Sequence, residues 1–273
     1  MKYFLITAMP KSGTTWVQRI CRAHPKMHCR AEDQFTNFWP QLRDVVTDYN
    51  DLITLRDQQR DNQGVEPLDR GDSVKLFYAM IRVALEKAPE DVVWSGIKEL
   101  TLSAKGFMRY LPDARIINVI RDPRDIAISA LAHTRRVAQD KNSVLDEPSD
   151  FLLSEIANHW LKQLELLNAT RREFPDRTFD IHYESLIDDF PATVLGMLNF
   201  FDLDSTPTTI EALRLETDFT HLSGGRSPGE EDGSSYFRKG QARDWRGVLS
   251  SAQIALVNDI CGAELTAHGY AQG

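Results

Sequence analysis

The sequence has few cysteines and no long apolar segment. Its three cysteines, Cys21, Cys29 and Cys261, are too few and too widely spaced for a disulfide framework or a zinc knuckle, which predicts free thiols. No apolar stretch approaches the roughly 18 residues that a membrane-spanning helix needs, and the run at residues 3–8 is too short for a signal-peptide core. These absences predict a cytoplasmic protein without a membrane span.

Positive charge is also scarce over the chain as a whole. The sequence has 32 Lys and Arg against 40 Asp and Glu, a formal net charge of −8, and this argues against a nucleic-acid-binding protein, which normally has a basic face. The basic residues are unevenly distributed, however. Residues 9–31 contain five of them and no acidic residue, and residues 236–246 contain four and a single Asp. An acidic chain with two such basic segments favours a small polyanionic ligand.

Short segments rich in β-branched and aromatic residues alternate with amphipathic segments along the chain. Strands are predicted at 3–8, 92–97, 115–120 and 178–182. Helices are predicted at 14–23, 41–60, 73–88, 102–110, 123–138, 148–174, 191–201, 208–215 and 251–267. Because strands that alternate with helices form crossover units, the sequence predicts a single α/β domain over residues 1–273, with a mostly parallel sheet flanked by helices.

One segment has the composition of a linker. Residues 221–235, HLSGGRSPGEEDGSS, contain four glycines and four charged side chains, which predicts a flexible loop. This loop directly precedes the basic segment 236–246. Two interpretations are open: a flap that closes over a ligand, or a surface loop without a role in binding.

The first strand is followed by a turn with the composition of an anion-binding site. In MPKSGTT, residues 9–15, Gly13 permits backbone conformations that other residues avoid, and Lys11 adds a positive charge. The N–H groups that open the next helix face the same point. A Walker A loop has an earlier glycine before its Lys, whereas Lys11 precedes the only glycine here. The turn is therefore P-loop-like, but it favours a phosphate ester other than a cleaved ATP.

The second candidate for phosphate binding is VIRDPRDIAIS, residues 119–129. A strand ends at Arg121, and a helix begins with Asp122 in a favourable N-cap position. Ser129 lies seven residues after Asp122, about two helical turns, so its hydroxyl returns to the face that starts beside Arg121. A guanidinium and a hydroxyl can then bind one phosphate from two directions.

The third candidate is FRKG, residues 237–240, which is followed by DW at residues 244 and 245. Its adjacent donors are the side chains of Arg238 and Lys239 and the N–H of Gly240. These three donors would form a second anion clamp if the preceding loop folds inward.

Together PKSGTTW, RDPRDIAIS and FRKG with DW resemble the nucleotide-binding segments of the sulfotransferase superfamily that uses 3′-phosphoadenosine 5′-phosphosulfate (PAPS). The resemblance implies an enzyme that transfers a sulfonate group from PAPS to a hydroxyl by in-line displacement, with Lys11 at the bridging oxygen and the sulfonate. The other residues implied to bind the nucleotide are Ser12, Gly13, Thr14 and Thr15 at the 5′-phosphate, Trp16 and Tyr183 near the adenine, Arg121, Ser129, Arg238, Lys239 and Gly240 at the 3′-phosphate, and Thr217 with Phe219 in a Thr-x-Phe contact.

The proton acceptor is indicated less directly. In-line transfer needs a base for the acceptor hydroxyl and cations for the leaving phosphate. Cytosolic phenol and steroid sulfotransferases have a His two residues after a Lys on the next strand, whereas GIKEL has Leu100 two residues after Lys98. Lys98 keeps the cationic role. The segment AHPKMHCRAED resembles the one that leads to a catalytic Glu in tyrosylprotein sulfotransferases, which puts Glu32 first, with Glu99 and His133 as alternatives.

The acceptor is expected to be a hydroxylated small molecule, glycan or peptide, and no metal is expected. Its site is predicted at the surface formed by residues 33–60, the aromatic side chains Phe35, Phe38 and Trp39, and helix 73–88, although core packing explains these aromatic side chains nearly as well. Two other functions are open: a catalytically inactive nucleotide-binding sensor or scaffold, and, less favoured, a nucleotide-kinase-like phosphotransferase that requires magnesium. The oligomeric state is not indicated.

Overall fold

The computed structural model describes residues 1–60, 66–138 and 147–273, which form a five-stranded sheet flanked by helices. The strands are β1 (Lys2–Ala8), β2 (Met27–Arg30), β3 (Trp94–Lys98), β4 (Arg115–Ile120) and β5 (Thr178–His182). Their order in the sheet is β2-β3-β1-β4-β5, and every neighbouring pair is parallel. The prediction of a single α/β domain with a mostly parallel sheet is confirmed.

The helices follow one another between and after the strands. They are α1 (Thr14–Ala23), α2 (Trp39–Arg60), α3 (Arg70–Leu85), α4 (Ala104–Tyr110), α5 (Pro123–Ala138), α6 (Asp150–Glu173), α7 (Tyr183–Asp188), α8 (Phe190–Phe200), α9 (Pro207–Thr217), α10 (Phe219–Leu222), α11 (Trp245–Val248) and α12 (Ser251–Ala267), with a short 3₁₀ helix (Phe35–Phe38) before α2. All nine predicted helices are present, and no described boundary differs from the predicted one by more than three residues. None of the helices described is both long and apolar enough to cross a membrane.

Strand β1 lies at the centre of the sheet, where both of its faces are covered. Phe4 and Ile6 pack into a core formed with α1, α8 and α9, whereas Tyr3 and Leu5 pack into a second core formed with α3 and α4. The side chains of Phe4, Leu5 and Ile6 are fully buried. A strand that is buried on both faces has a continuous apolar sequence, and this is why the run at 3–8 predicted it.

Strand β2 was not predicted, and β3 begins two residues later than expected. In β2, Met27 and Cys29 are buried whereas His28 and Arg30 are only partly buried, so its apolar signal is limited to two side chains. It lies at the edge of the sheet and pairs only with β3. The N–H of Val92 bonds to the preceding turn, which delays the start of β3.

A buried arginine joins the start of α5 to the C-terminal segment. Arg124 is fully buried, donates two side-chain hydrogen bonds to the carboxylate of Asp122, and lies 3.6 Å from the ring centroid of Trp245. Its Nη2 also donates to the carbonyl oxygen of Ala271 at 2.6 Å. Because a buried guanidinium is stable only when it is paired, these contacts fix the chain segment that follows β4.

The parallel order places the carboxyl ends of all five strands at one edge of the sheet. The residues that follow these ends are the turn 9–13 after β1, Glu32 after β2, Glu99 after β3, Arg121 after β4 and Tyr183 after β5. Open α/β sheets bind ligands at this edge. Residues that are far apart in the sequence are therefore brought together where a ligand site is expected.

Gly96 in β3 is packed too closely to accept a side chain, because a Cβ atom there would lie 2.5 Å from the ring of Phe4. We expect G96A to lower the free energy of unfolding by about 1–3 kcal/mol, as in other overpacked cores, measured by urea denaturation. G247A is the matched control, since no atom lies within 4 Å of a Cβ built at Gly247. Equal unfolding midpoints for G96A and the wild type would contradict this packing.

Candidate active site

The turn between β1 and α1 is shaped for an anion. Lys11 and Gly13 both have left-handed backbone conformations, with φ of 72° and 91°. A Cβ atom at Gly13 would lie 2.3 Å from the ring of Tyr183, so glycine is required for conformation and for space. The N–H of Trp16 bonds to the carbonyl oxygen of Gly13, whereas the N–H groups of Thr14 and Thr15 at the start of α1 precede the first helical hydrogen bonds. These donors open onto the edge of the sheet beside Lys11.

Tyr183 packs between the turn and the end of β4. Its ring centroid is 4.2 Å from the guanidinium carbon of Arg121 and 5.9 Å from the ring of Trp16, which meets it edge to face. Arg121 Nη1 donates to the carbonyl oxygen of Lys11 at 3.1 Å. The Arg121 Nε atom is buried and has no hydrogen-bond partner within the described ranges. A buried donor without a partner is unusual in proteins, and it lies here on a residue that lines the edge of the sheet where ligands bind.

Trp16 is fixed on its other side as well. Its Nε1 donates to the carbonyl oxygen of Thr217 at 2.7 Å, and its ring packs 6.1 Å from that of Phe190. The indole is partly buried and one part of it faces the open space above the turn. Thr217 lines the same space, although its hydroxyl is bonded to the carbonyl oxygen of Leu213.

A loop of residues 223–241, here called the lid, covers this space. The guanidinium of Arg226 donates to the carbonyl oxygens of Glu230, Phe237 and Arg238 and to the hydroxyl of Ser235. It therefore organises most of the lid from a single position. The structure shows the linker-like segment 221–235 folded and hydrogen-bonded at the site, and its predicted flexibility stays a prediction.

The lid carries the cationic segment FRKG into the site. Arg238 pairs with Glu231 at 2.7 Å and with Asp244 at 2.6 Å, and Lys239 pairs with the same Asp244 at 3.0 Å. Burial lowers the pKa of Arg238, but its bonds to the two carboxylates outweigh this and raise the pKa overall. Gly240 has φ of 63°, and a Cβ there would lie 2.3 Å from the ring of Phe219.

Tyr236 closes the lid onto the turn. Its hydroxyl shares a 2.6 Å hydrogen bond with Thr15 Oγ1. The Lys11 Nζ atom lies 6.0 Å from the centroid of the Tyr236 ring, and the guanidinium carbon of Arg136 lies 5.6 Å from it. The first turn of α1, the lid and helix α5 therefore meet at one tyrosine.

Two lysines face the space between the turn and β3. Lys98 is buried, its Nζ lies 2.7 Å from Glu32 Oε1, and it donates to Thr15 Oγ1 at 3.3 Å. Burial and then the charge of Arg136 lower the pKa of Lys11 to about 8, with a smaller lowering by Lys98 and an opposing effect of Glu32. Lys11 is thus close to its titration point at neutral pH and would gain from a nearby anion.

The three candidate bases differ in the atoms they leave available. Both oxygens of the buried Glu99 accept hydrogen bonds, from the N–H of Gln34 at 3.0 Å and the hydroxyl of Thr101 at 2.9 Å. His133 Nδ1 accepts from Arg136 Nη2 at 2.9 Å, so a neutral imidazole has its proton on Nε2. Glu32 uses Oε1 for Lys98, and its side chain is 42% exposed. Glu32 is therefore the candidate with an accessible carboxylate.

These elements enclose a cavity of about 770 Å³. Apart from Phe219 and the lid, the residues that line it from the strand ends and helices are Pro10, Lys11, Gly13, Thr14, Thr15, Trp16, Ala31, Glu32, Gln34, Lys98, Glu99, Leu100, Thr101, Arg121, Ser129, Ala132, His133, Arg136, Tyr183, Thr217 and Leu222. The size is typical of a pocket for a small molecule. Within the described ranges, no group of three or more His, Cys, Asp or Glu side chains could hold a metal ion.

Comparison with known proteins decides the family. The model of the sulfotransferase family matches residues 4–207. The chain belongs to the sulfotransferase family. Among curated relatives, cytosolic sulfotransferase 15 of Arabidopsis thaliana is 21% identical over 281 residues, covering 94% of this chain and 71% of that protein. Sulfotransferase 6B1 of Danio rerio is 25% identical over 161 residues, covering 55% of this chain and 52% of that protein.

Solved sulfotransferase structures have the same fold. Mouse sulfotransferase SULT7A1 complexed with PAP superimposes with a TM-score of 0.60 at 15% identity, covering 97% of this chain and 85% of that one. Retinol dehydratase in complex with androsterone and the inactive cofactor PAP gives a TM-score of 0.58 at 18% identity, covering 96% and 80% of the two chains.

All but one of the site residues predicted from the sequence line the cavity of this sulfotransferase. The exception is Ser12, whose side chain lines a separate pocket of about 10 Å³ together with Met9, Asn118 and Trp160. Its hydroxyl is buried there without a hydrogen-bond partner in the described ranges. The expected contact of Ser12 with the 5′-phosphate stays a prediction, as do the roles of the other residues.

The aromatic side chains considered for the acceptor site do not line the cavity. Phe35 is buried in the core with Tyr3 and Leu5, Trp39 packs against Phe77 at 5.4 Å, and Phe38 is exposed. Of the segment 33–60, only Gln34 contributes to the lining. Phe35 and Trp39 thus follow the core-packing alternative, whereas the location of the acceptor site stays a prediction.

Sequence reasoning missed Arg136, Tyr236 and Arg226. Arg136 lies seven residues after Ser129, two helical turns on the same face of α5, and this spacing could have revealed it. Tyr236 directly precedes FRKG, but its contact with Thr15 spans 221 residues. Arg226 has no local signal, because the carbonyl oxygens that it binds become neighbours only when the lid folds.

R226Q should loosen the lid, because the guanidinium supplies the hydrogen bonds to Glu230, Ser235, Phe237 and Arg238. We expect faster amide hydrogen exchange over residues 223–241 with unchanged exchange in β1 and β4, measured by mass spectrometry. R214Q is the control, because Arg214 forms only an exposed ion pair with Glu211. Exchange in the lid that is as slow in R226Q as in R214Q would show that Arg226 does not hold it.

Proposed function

We propose that this sulfotransferase transfers a sulfonate group from PAPS to a hydroxyl group of its acceptor. The observation that carries the proposal is the convergence of three features on one cavity: the anion-binding turn with Lys11, the Lys98–Glu32 pair, and the lid cations Arg238 and Lys239. A nucleotide with phosphates at both ends needs a cationic group at each end. Transfer of a group to a hydroxyl also requires a base beside one of those ends.

The described residues fit a bisphosphorylated nucleotide. Arg121 and Ser129 line the same cavity as Arg238 and Lys239, and together they would hold the 3′-phosphate. The turn with Gly13 would hold the 5′-phosphate through backbone N–H groups. The partly buried rings of Trp16 and Tyr183 would contact the base, as would Thr217 and Phe219 at the edge of the lining.

Glu32 would act as the base. Its carboxylate lines the cavity, one oxygen is held by Lys98, and its second oxygen is not engaged by any described residue. Glu99 is less suitable because it is buried and each of its oxygens already accepts a hydrogen bond, and His133 because its Nδ1 accepts from Arg136. The proposal therefore assigns proton abstraction to Glu32 and structural roles to the other two.

The proposed transfer accounts for each bond that forms or breaks. Glu32 takes the proton of the acceptor hydroxyl while that oxygen forms its bond to sulfur. The bond between sulfur and the 5′-phosphate oxygen breaks, and its electron pair stays on that oxygen. Lys11 and Lys98 stabilise the negative charge that develops there. The products are the sulfated acceptor and adenosine 3′,5′-bisphosphate.

Adenosine 3′,5′-bisphosphate should stabilise the protein in a pH-dependent way. At 100 times the dissociation constant we expect the melting temperature to rise by about 5–10 °C. Affinity should fall above pH 8 by up to about tenfold per pH unit, since the free protein must bind a proton at Lys11 before it binds the anion. The phosphates of the ligand do not titrate there, because their second pKa is about 6. Titration calorimetry from pH 7 to 9 measures the effect.

K11M is the matched variant for this measurement, since methionine keeps the length of the side chain without its charge. The variant should bind more weakly at pH 7 and lose the dependence on pH. A flat affinity of the wild type between pH 7 and 9 would contradict the assignment of Lys11. Stabilisation by ATP with magnesium and not by the bisphosphate would instead support a phosphotransferase.

E32Q should reduce sulfonate transfer from labelled PAPS by about 10²–10⁴-fold in kcat, because glutamine can still accept from Lys98 but cannot take the proton. The variant should bind adenosine 3′,5′-bisphosphate at least as tightly as the wild type, since the loss of a carboxylate leaves the cations less neutralised. E165Q is the control, because Glu165 is exposed on α6 and lies outside the cavity. An E32Q rate within threefold of the E165Q rate would remove Glu32 from the mechanism.

A further inference from the structure

One strong cation of the cavity has no role in the proposed donor site. Arg136 lines the cavity from the last turn of α5 and is not part of PKSGTTW, RDPRDIAIS or FRKG. The carboxylates that form ion pairs at the site within the described ranges are Glu32 with Lys98, Asp125 with Arg121, Glu231 with Arg238, and Asp244 with Arg238 and Lys239. None of these carboxylates pairs with Arg136. Its charge is therefore directed to the cavity without a partner among them.

The position of Arg136 is at the sulfonate end of the cavity. Its guanidinium carbon lies 5.6 Å from the centroid of Tyr236, whose hydroxyl is bonded to Thr15 at the opening of α1. The Nζ of Lys11 lies over the same ring at 6.0 Å. The ring of Trp16, proposed to contact the adenine, packs instead against Tyr183. Arg136 thus faces the space in which an acceptor must approach.

His133 holds this guanidinium in place and adds a donor. Its Nδ1 accepts from Arg136 Nη2 at 2.9 Å, and burial, followed by the charges of Lys11 and Arg136, lowers its pKa. The imidazole is therefore neutral near pH 7, with its proton on Nε2. Because His133 also lines the cavity, α5 presents a guanidinium and an imidazole N–H to one ligand.

We infer that the acceptor carries an oxyanion beside its reactive hydroxyl, and that Arg136 binds this oxyanion with His133. The inference rests on the proposed sulfonate transfer. The shared chemistry is a carboxylate, sulfate ester or phosphate ester on the acceptor. A guanidinium binds such groups through two parallel N–H donors, which also orients the ligand. The hydroxyl would then face Glu32 from an acceptor that is fixed at its charged end.

The remaining lining of this end agrees with a polar acceptor. Gln34 and Thr101 lie at the strand ends near Glu32 and donate hydrogen bonds to Glu99. A large apolar acceptor would desolvate the Arg136 guanidinium without giving it an anionic partner, which is costly. An acceptor oxyanion on the side of α5 would supply that partner.

The test compares matched acceptors on the protein saturated with adenosine 3′,5′-bisphosphate. The phenol series is 4-hydroxyphenylacetate, 4-hydroxyphenyl phosphate and the neutral 4-hydroxyphenylacetamide, and the sugar series is glucuronate, glucose 6-phosphate and glucuronamide. Titration calorimetry should show anionic members of at least one series binding about tenfold or more tightly than the neutral member, as expected for a charge-assisted hydrogen bond. The carboxylate and phosphate arms distinguish which oxyanion fits better.

R136Q should reduce this preference to less than about threefold. R172Q removes the same charge from an exposed position on α6 and should retain the full preference. Stabilisation of R136Q by the bisphosphate shows that the variant is folded. Equal affinity across both series, including no detectable binding, or an undiminished preference in R136Q, would overturn the inference.

Transfer assays separate this outcome from failure of the proposed function. Sulfonation of the neutral members as efficiently as the anionic ones would overturn the anionic acceptor but keep the sulfonate transfer. Absence of any binding of adenosine 3′,5′-bisphosphate to the wild type would count against the proposed function itself.

Discussion

The packing of one tyrosine ring between a glycine and an arginine fixes the geometry of the site. Tyr183 follows β5, Gly13 follows β1 and Arg121 follows β4, so this contact sets the distances between three strand ends. The ring leaves no space for a Cβ at Gly13 and stacks 4.2 Å from the Arg121 guanidinium. The phosphate-binding turn cannot shift without displacing both partners. The indole of Trp16, in the first turn of α1, packs against the same Tyr183 ring.

The cavity concentrates positive charge in a chain whose net charge is −8. Such a cluster is unfavourable unless anions neutralise it. Glu32 neutralises Lys98, and Asp244 neutralises two cations of the lid, whereas Lys11 responds by a pKa of about 8. A bound polyanion would neutralise these cations more fully, because it can supply negative charge at both ends of the cavity. Repulsion among the cavity cations raises the free energy of the ligand-free protein. An anionic ligand relieves this repulsion, so the cluster favours ligand binding and not the stability of the fold.

Local chemistry is what made parts of this structure predictable. The apolar run of β1 and the lone glycine of the turn predicted a strand, a turn and a helix, and all three occur. Strand β2 was missed because only Met27 and Cys29 in it are buried. Phe35 could not be assigned to the core or to a pocket, because an aromatic side chain gives the same signal in both. The roles of Tyr236 and Arg226 depend on contacts across a folded loop, which no periodicity in the sequence encodes.

The buried Arg124 also has a consequence for the order in which the protein matures during synthesis. Its guanidinium needs the carbonyl oxygen of Ala271, which is added to the chain 147 residues later. Until then, a buried charge at the start of α5 lacks one of its acceptors, so water must remain there. The early strands of the sheet can assemble first, whereas the start of α5 gains this acceptor only after residues near Ala271 have been synthesised.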